Sequence, residues 1–491
     1  MPLLNLQAAK SVKECTATIQ AAIDAASASG GDTVTIPAGT WIITSLHLAT
    51  GVTLELAANA VLKAHDDLSA YPVTTVQNAN KDRQPYHLII AENCSDVTIC
   101  GDGTIDGNGM AFWHPPMREM AAQGVDVEAY CDEHDLPPVY RNANHPWYRE
   151  KKARVSPMLE AKHATRLRLR GVTFANSPGW TVHCHDCDDL VIDGITIANN
   201  LYGPNTDGLD LNGCQDVRIS NCDLTCGDDA IILKSMADAR PCERISVTNC
   251  LISTNCAALG LGAEVVHAIR DVAFSNCVVR QALRAFQIEM WDAGTIENVV
   301  VSNITGCCHT QTPLQRGIYI NVGHNSFADR ETNTDYQGPW GTCRNIQFSN
   351  IVLHTRGRSM ITAPDGARIS DVVLRDVHFL YDAIENAAVT VPRYPSSQMA
   401  NHCPEARVTN AAFVAQNVDR LQLHNVITTW PGQGSQPDNS ATANQPLNPH
   451  HDNPPMHGVW ARGCQQLVIN SPFLSSFHAE KIVNIDSTLI E

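Results

Sequence analysis

A short pattern recurs along the chain: apolar, any, apolar, any, then Asn, Gly or Asp. It starts at Val97, Leu167, Leu190, Val217, Ile245, Val272, Val299, Ile346, Val372, Leu421 and Leu467. From Leu167 to Val299 the steps are 23, 27, 28, 27 and 27 residues. Each block alternates at period two and ends in a turn residue, which marks a short strand. Such a strand cannot bury its face alone, so the units must stack on one another. A βαβ sheet would need an amphipathic helix in each gap, and none is visible. The spacing therefore predicts an all-β parallel β-helix, a solenoid forming one domain over residues 1–491. Later steps of 47, 49 and 46 residues read as doubled coils, with Ile318 to Ile320 and Val389 to Val391 filling two of the gaps.

The columns of this repeat carry expectations of their own. Asn221, Asn249, Asn276, Asn303, Asn350 and Asn425 end six blocks, with Gly171, Gly194 and Asp376 in the same place elsewhere. An Asn ladder bonded to backbone in successive turns is expected. Cys94, Cys187, Cys214, Cys242, Cys343 and Cys464 lie three residues before a strand start; Cys222, Cys250 and Cys277 lie five after one. Stacked free thiols used as compact apolar filler explain these columns. No zinc spacing fits them, and no metal or cofactor is expected. Residues 1–60 read as an N-terminal cap, with a helix from Cys15 to Ala26 presenting Ile19, Ala22, Ile23 and Ala26. Long insertions at about 108–155, 323–341 and 431–458 interrupt the coils.

Composition excludes several functions. Charged residues are 17% of the chain and the formal net charge is -17. That balance argues against a nucleic-acid partner, and no stretch reaches the roughly 20 apolar residues of a membrane span. The N-terminus shows no secretory signal. A cytoplasmic protein is expected, or a secreted or periplasmic one whose signal has been removed. Oligomeric state is not legible.

The segment NTDGLDLNGCQDVRISNCDLTCGDDAIILKS, from Asn205 to Ser235, concentrates carboxylates. Asp207 and Asp228 are 21 residues apart, slightly under one coil, so the two motifs belong on neighbouring coils and on one face. Asp207, Asp228 and Asp229 would then crowd together. Crowded carboxylates raise one another's pKa, leaving one protonated while the others stay ionised. Cleavage of a glycosidic bond needs that division of labour. Taken singly, NTDG or GDD would be a turn.

With these motifs in view, most of the chain resembles glycoside hydrolase family 28, the polygalacturonase family. The likeness runs through ATIQAAID, TVTIPAGTW, GDGTIDGNG at Gly101 to Gly109, FANSPGWTVH at Phe174 to His183, NTDG and GDD. It implies a right-handed parallel β-helix and inverting hydrolysis of pectin-type glycosides. By position it makes Asp228 the general acid and gives Asp207 and Asp229 the water. Two family motifs are missing. Where the family has Gly-His-Gly, TNCAALGLGAE places Cys256 nearest the histidine. Where it has the Arg-Ile-Lys that binds a galacturonate carboxylate, LRAFQIEMW places Gln287, Ile288 and Glu289. An anion there repels an acidic sugar. A neutral sugar hydrogen-bonded by Gln287 and Glu289 fits, which points to a galacturonate–rhamnose or other mixed linkage.

Further substrate-binding candidates are Asn205, His183, Lys234 and His324. Trp147, Tyr148 and Arg149 offer a sugar platform, and His450, His451 and Asp452 an unpromising metal site. The expected partner is an oligo- or polysaccharide. Rival readings are a polygalacturonase acting on homogalacturonan oligosaccharides, a non-catalytic glycan-binding β-helix, and a polysaccharide lyase.

Overall fold

The computed structural model describes residue 6 and residues 10–74, 83–136, 141, 146–151, 153–310, 313–324, 338–393, 403–432 and 453–490. The chain divides into two compact units, one of residues 1–210 and 221–230, the other of residues 211–220 and 231–491. The fold is all-β, a right-handed parallel β-helix, as the spacing and the resemblance implied.

In the first unit, strands Thr33–Ile36, Thr53–Leu56 and Thr98–Gly101 pair in parallel, with Val34, Leu54 and Ile99 in one buried column. Helix Val12–Ala28 caps this unit and buries Cys15, Ile19, Ile23 and Ala26. Ser11 opens it by accepting from the Glu14 N–H, as an N-cap should. Its Gln20 amide donates to the His47 carbonyl at 2.9 Å and accepts from the His47 N–H at 2.8 Å. A bare strand edge invites pairing with another chain; Gln20 occupies that edge instead.

In the second unit the repeat register is as read. Val217, Ile245, Val272, Val299, Ile346, Val372 and Leu421 align strand to strand, and all are buried. A second sheet stacks Leu233, Leu261, Ile288 and Ile320 inward. Its outward column reads Ile232, Gly260, Gln287, Tyr319 and Met360.

Two expectations are corrected. The step of 47 is one coil, because Val299 pairs directly with Ile346. Ile318 and Ile320 lie on strand Arg316–Val322 of the other sheet, and Val389 and Val391 lie within helix Ala387–Arg393. Insertions, not hidden repeats, stretch the period. The Asn ladder exists but bonds side chain to side chain: Asn350 donates to Asn303, and Asn303 to Asn276. All six aligned Asn take positive φ, from 51° to 58°, a conformation Asn tolerates better than most residues. A second ladder escaped the sequence reading. The residue just before each strand start also turns left-handed, and there Arg166 pairs Asp96, Arg244 pairs Asp216 and Arg420 pairs Asp371.

The Cys columns are buried and none of the eighteen cysteines is joined in a disulfide. The first insertion is not irregular throughout. It carries helices Met117–Ala122 and Val127–Glu133, and Trp113–His114 pairs antiparallel with Arg149–Glu150. Most of the other two insertions, with His450, His451 and Asp452, lies outside the described residues.

Candidate active site

Asn205, Asp207, Asp210, Asp228 and Asp229 all belong to the first unit. Backbone hydrogen bonds set their heights. The Gly208 N–H donates to the Asp229 carbonyl at 2.8 Å, and the Leu209 N–H to Ala230 at 2.9 Å. Asp207 and Asp229, 22 residues apart, therefore sit level on adjacent coils. The glycines of both motifs make this approach possible. A Cβ on Gly208 would lie 2.4 Å from the Ala230 oxygen, and one on Gly227 would lie 2.3 Å from the Gly203 oxygen. Thr206 ties the two loops together by accepting from the Gly227 N–H at 2.9 Å.

The carboxylates differ in exposure. Asp207 and Asp210 are buried, whereas Asp228 and Asp229 are half-buried. Asp228 accepts from the Asn205 amide at 3.4 Å and from the Asp229 N–H at 3.0 Å. The thiol of Cys226 reports their combined field. Burial raises its pKa most, and the charges of Asp207, Asp210, Asp228 and Asp229 push it further, to well above the ordinary thiol range. All four carboxylates thus lie close enough to act on one buried thiol.

His183 lies in strand Val182–His185, fully buried, its Nδ1 2.6 Å from Glu160 Oε2. Trp147 meets Tyr202 edge-on at 5.6 Å between ring centres, and the Tyr148 N–H donates to the Tyr202 carbonyl. The aromatic pair thus packs on the loop that leads into Asn205.

A model of glycosyl hydrolases family 28 matches residues 142–393, just over half of the chain. The chain belongs to glycosyl hydrolases family 28. Among its relatives is a probable polygalacturonase of Vitis vinifera, 27% identical over 80% of this chain and 78% of that protein. Two solved structures share the fold. The exopolygalacturonase from Thermotoga maritima is 20% identical, with a TM-score of 0.61 over 84% of this chain and 88% of its own. The Yersinia enterocolitica family 28 exopolygalacturonase is 19% identical, with a TM-score of 0.62 over 88% of this chain and 74% of its own.

This family 28 glycoside hydrolase carries its other candidates in the second unit. Lys234 is buried, its Nζ 2.9 Å from Glu264. His324 is half-buried just past strand Arg316–Val322. Gln287 and Glu289 are buried on strand Arg284–Met290, and both are engaged by a cation the sequence reading missed. Arg284 donates to the Gln287 amide oxygen and lies 3.5 Å from Glu289; it is also 3.9 Å from Cys256 Sγ. Arg316 lies 4.4 Å above the Tyr319 ring, which Arg284 approaches at 5.3 Å. Burial pushes the Arg316 guanidinium down to about 10. Arg284 precedes Gln287 by one turn of the strand's alternation and a half, off the motif position, so a position-by-position reading passed over it.

Proposed function

We propose that this glycoside hydrolase inverts the anomeric centre of a pectic glycan, with Asp228 as general acid and Asp207 and Asp229 holding and activating the water. The level placement of Asp207 and Asp229 on adjacent coils, beside half-buried Asp228, carries this reading. Asp228 is open enough to meet a leaving oxygen, and the Asn205 amide steadies its carboxyl. Relatives named polygalacturonase and exopolygalacturonase support a pectic substrate. We further read the Gln287–Glu289 subsite as one for a neutral sugar. Arg284 contributes +1 and Glu289 −1 at 3.5 Å, so the pair has no net charge to offer a carboxylate. A galacturonate–rhamnose or other mixed linkage follows.

A specific observation favours the second reading, a polygalacturonase on homogalacturonan oligosaccharides. Arg316 adds a further cation on the coil after Arg284. Product analysis by NMR on homogalacturonan and rhamnogalacturonan oligosaccharides separates the two. Preferential cleavage of the mixed linkage with an inverted product is expected. Preference for homogalacturonan would replace the first reading with the second, and a retained anomer would exclude the mechanism.

A further inference from the structure

The row that holds Asp207 and Asp229 continues onto the earlier coils of the first unit. The Thr181 N–H donates to the Asp207 carbonyl at 3.0 Å, and the Met158 N–H to the Trp180 carbonyl at 2.8 Å. By the bond pattern that sets Asp207 level with Asp229, Trp180 is level with Asp207 and Pro157 with Trp180. One residue earlier on each coil, Gly179 flanks Thr206 and Asp228. One earlier again, Pro178 flanks Asn205. Exposure changes abruptly along this edge. Asn205, Asp228 and Asp229 are half-buried, whereas Pro178, Gly179 and Trp180 are buried, as is every residue from Arg154 to Met158. Adjacent coils are about 4.8 Å apart, so the opening at the carboxylates closes within one coil.

Two layers close it. The inner layer is built from the coils themselves. A Cβ on Gly179 would lie 2.4 Å from Ser156 Oγ and 2.9 Å from Arg154 Nε, so both side chains press on this backbone. The Ser156 hydroxyl accepts from the Trp180 N–H at 3.0 Å. The Trp180 ring lies 5.4 Å from that of His183, which Glu160 holds in turn from the neighbouring strand, with Arg83 behind it. The outer layer is the first insertion. Trp113 donates its indole N–H to the Pro178 carbonyl at 2.8 Å, and its ring would meet a Cβ on Gly203 at 2.8 Å. The pairing of Trp113–His114 with Arg149–Glu150 carries Glu150 to 4.0 Å from Arg154. Tyr148 stands 5.4 Å from Trp113 between ring centres. Trp147, half-buried against Tyr202, leaves an apolar surface on the loop that leads into Asn205.

A glycan running along the solenoid from the carboxylates towards the first coils would have to displace Trp180 and the insertion above Pro178. We infer that the groove ends there. The enzyme therefore removes short units from one terminus of its glycan rather than cutting interior bonds, and the first insertion is the wall against which the terminal sugar rests. The inference rests on the reading of the chain as a pectic glycosidase. Cleavage and binding test it separately. Oligogalacturonides and rhamnogalacturonan oligosaccharides, each of a single long length, are incubated with the enzyme and the products resolved by size at early times. One short product, and a substrate shortened by that unit, should appear from the first time point. A ladder of intermediate lengths overturns the dead end and leaves the pectic reading in place. Binding is measured by calorimetry with Asp228→Asn, which prevents turnover, using the same glycans with a bulky fluorophore on the reducing or the non-reducing terminus. If Asp228→Asn does not fold, Asp229→Asn takes its place. A tag on one terminus should abolish binding and a tag on the other leave it unchanged. Binding that tolerates both tags overturns the dead end. Tag-selective binding without hydrolysis by the wild type overturns the catalytic reading alone, and no binding to any of these glycans overturns both.

Discussion

The Gly208 amide reaches the Asp229 carbonyl at 2.8 Å, and no side chain fits between the two coils at that point. In Gly208→Ala the new methyl group would sit 2.4 Å from the Ala230 oxygen and 2.9 Å from Cys226 Sγ. A backbone oxygen cannot swing aside as a flexible side chain can. The substitution should cost about 1–3 kcal/mol, the usual range for overpacking. Thermal denaturation of the variant checks this, and an unchanged midpoint would show that the coils separate freely.

Asp228→Asn should keep the fold, because the residue is half-buried and the new amide can still meet Asn205 and the Asp229 N–H. It removes the proton that the leaving oxygen needs. Turnover should fall about 10²- to 10⁴-fold, the contribution typical of a general acid. Steady-state kinetics beside a melting curve measures both effects. Full turnover would move the acid to another carboxylate.

Interior positions were legible in the sequence because burial dictates their chemistry. Val272 and Val299 have no choice but to be apolar, so their spacing carries the coil length without an alignment. The outward column is under no such constraint. Glu160 lies 23 residues before His183, the same step that separates Leu167 from Leu190. The repeat therefore contained the pairing, but a single Glu on the four-residue strand Leu159–Lys162 drew no notice. Arg284 was missed for a different reason. Charge was sought at the motif positions, whereas the structure supplies it from three residues earlier on the same strand. Loop length hid the coil count, since an insertion of unknown size and a weak repeat lengthen a spacing equally.

The thiols should be unreactive for a stated physical cause. Burial raises the pKa of Cys184, Cys226 and Cys343, the last to about 12, and the thiolate is the reactive form. For Cys184 the hydrogen bond with Cys187 raises it most. Of eighteen cysteines only Cys100, Cys256 and Cys307 are half-buried. At pH 8 the native protein should titrate rapidly with a disulfide reagent at no more than these three, and at all eighteen in denaturant. Rapid reaction of more thiols in the native state would contradict the packing.

Asp292 should weaken the fold at neutral pH. Burial is the largest cause, and Glu264 adds to it, pushing the carboxyl up to about 6 against the bond it accepts from the Val265 N–H. An unfolded Asp titrates near 3.9. Below that pH both states are protonated and there is no penalty. Between roughly pH 4 and 6 the unfolded state ionises first, so stability falls as pH rises; above that window the penalty is complete. Because the group is partly solvated, about 1–2 kcal/mol is the expected size. Asp292→Asn should raise the melting temperature at pH 7.5 and leave it nearly unchanged at pH 3.5. An equal effect at both values would rule out ionisation as the cause.

The Asn ladder separates backbone conformation from side-chain bonding at a single exposed residue. Asn303 holds φ at 55°, donates to Asn276 at 2.9 Å and accepts from Asn350 at 3.2 Å. Asn303→Ala loses both bonds and also places a Cβ residue without local compensation in the left-handed region, which costs about 1–2 kcal/mol. Asn303→Gly loses the same bonds but adopts that φ without steric penalty. The order of stability should therefore be wild type, then Gly, then Ala, the reverse of what strand propensity alone predicts. Urea melts of the three proteins decide it. If Ala matches Gly, the ladder acts through its amides; if Gly matches wild type, the amides contribute nothing and the left-handed turn accounts for Asn at this position.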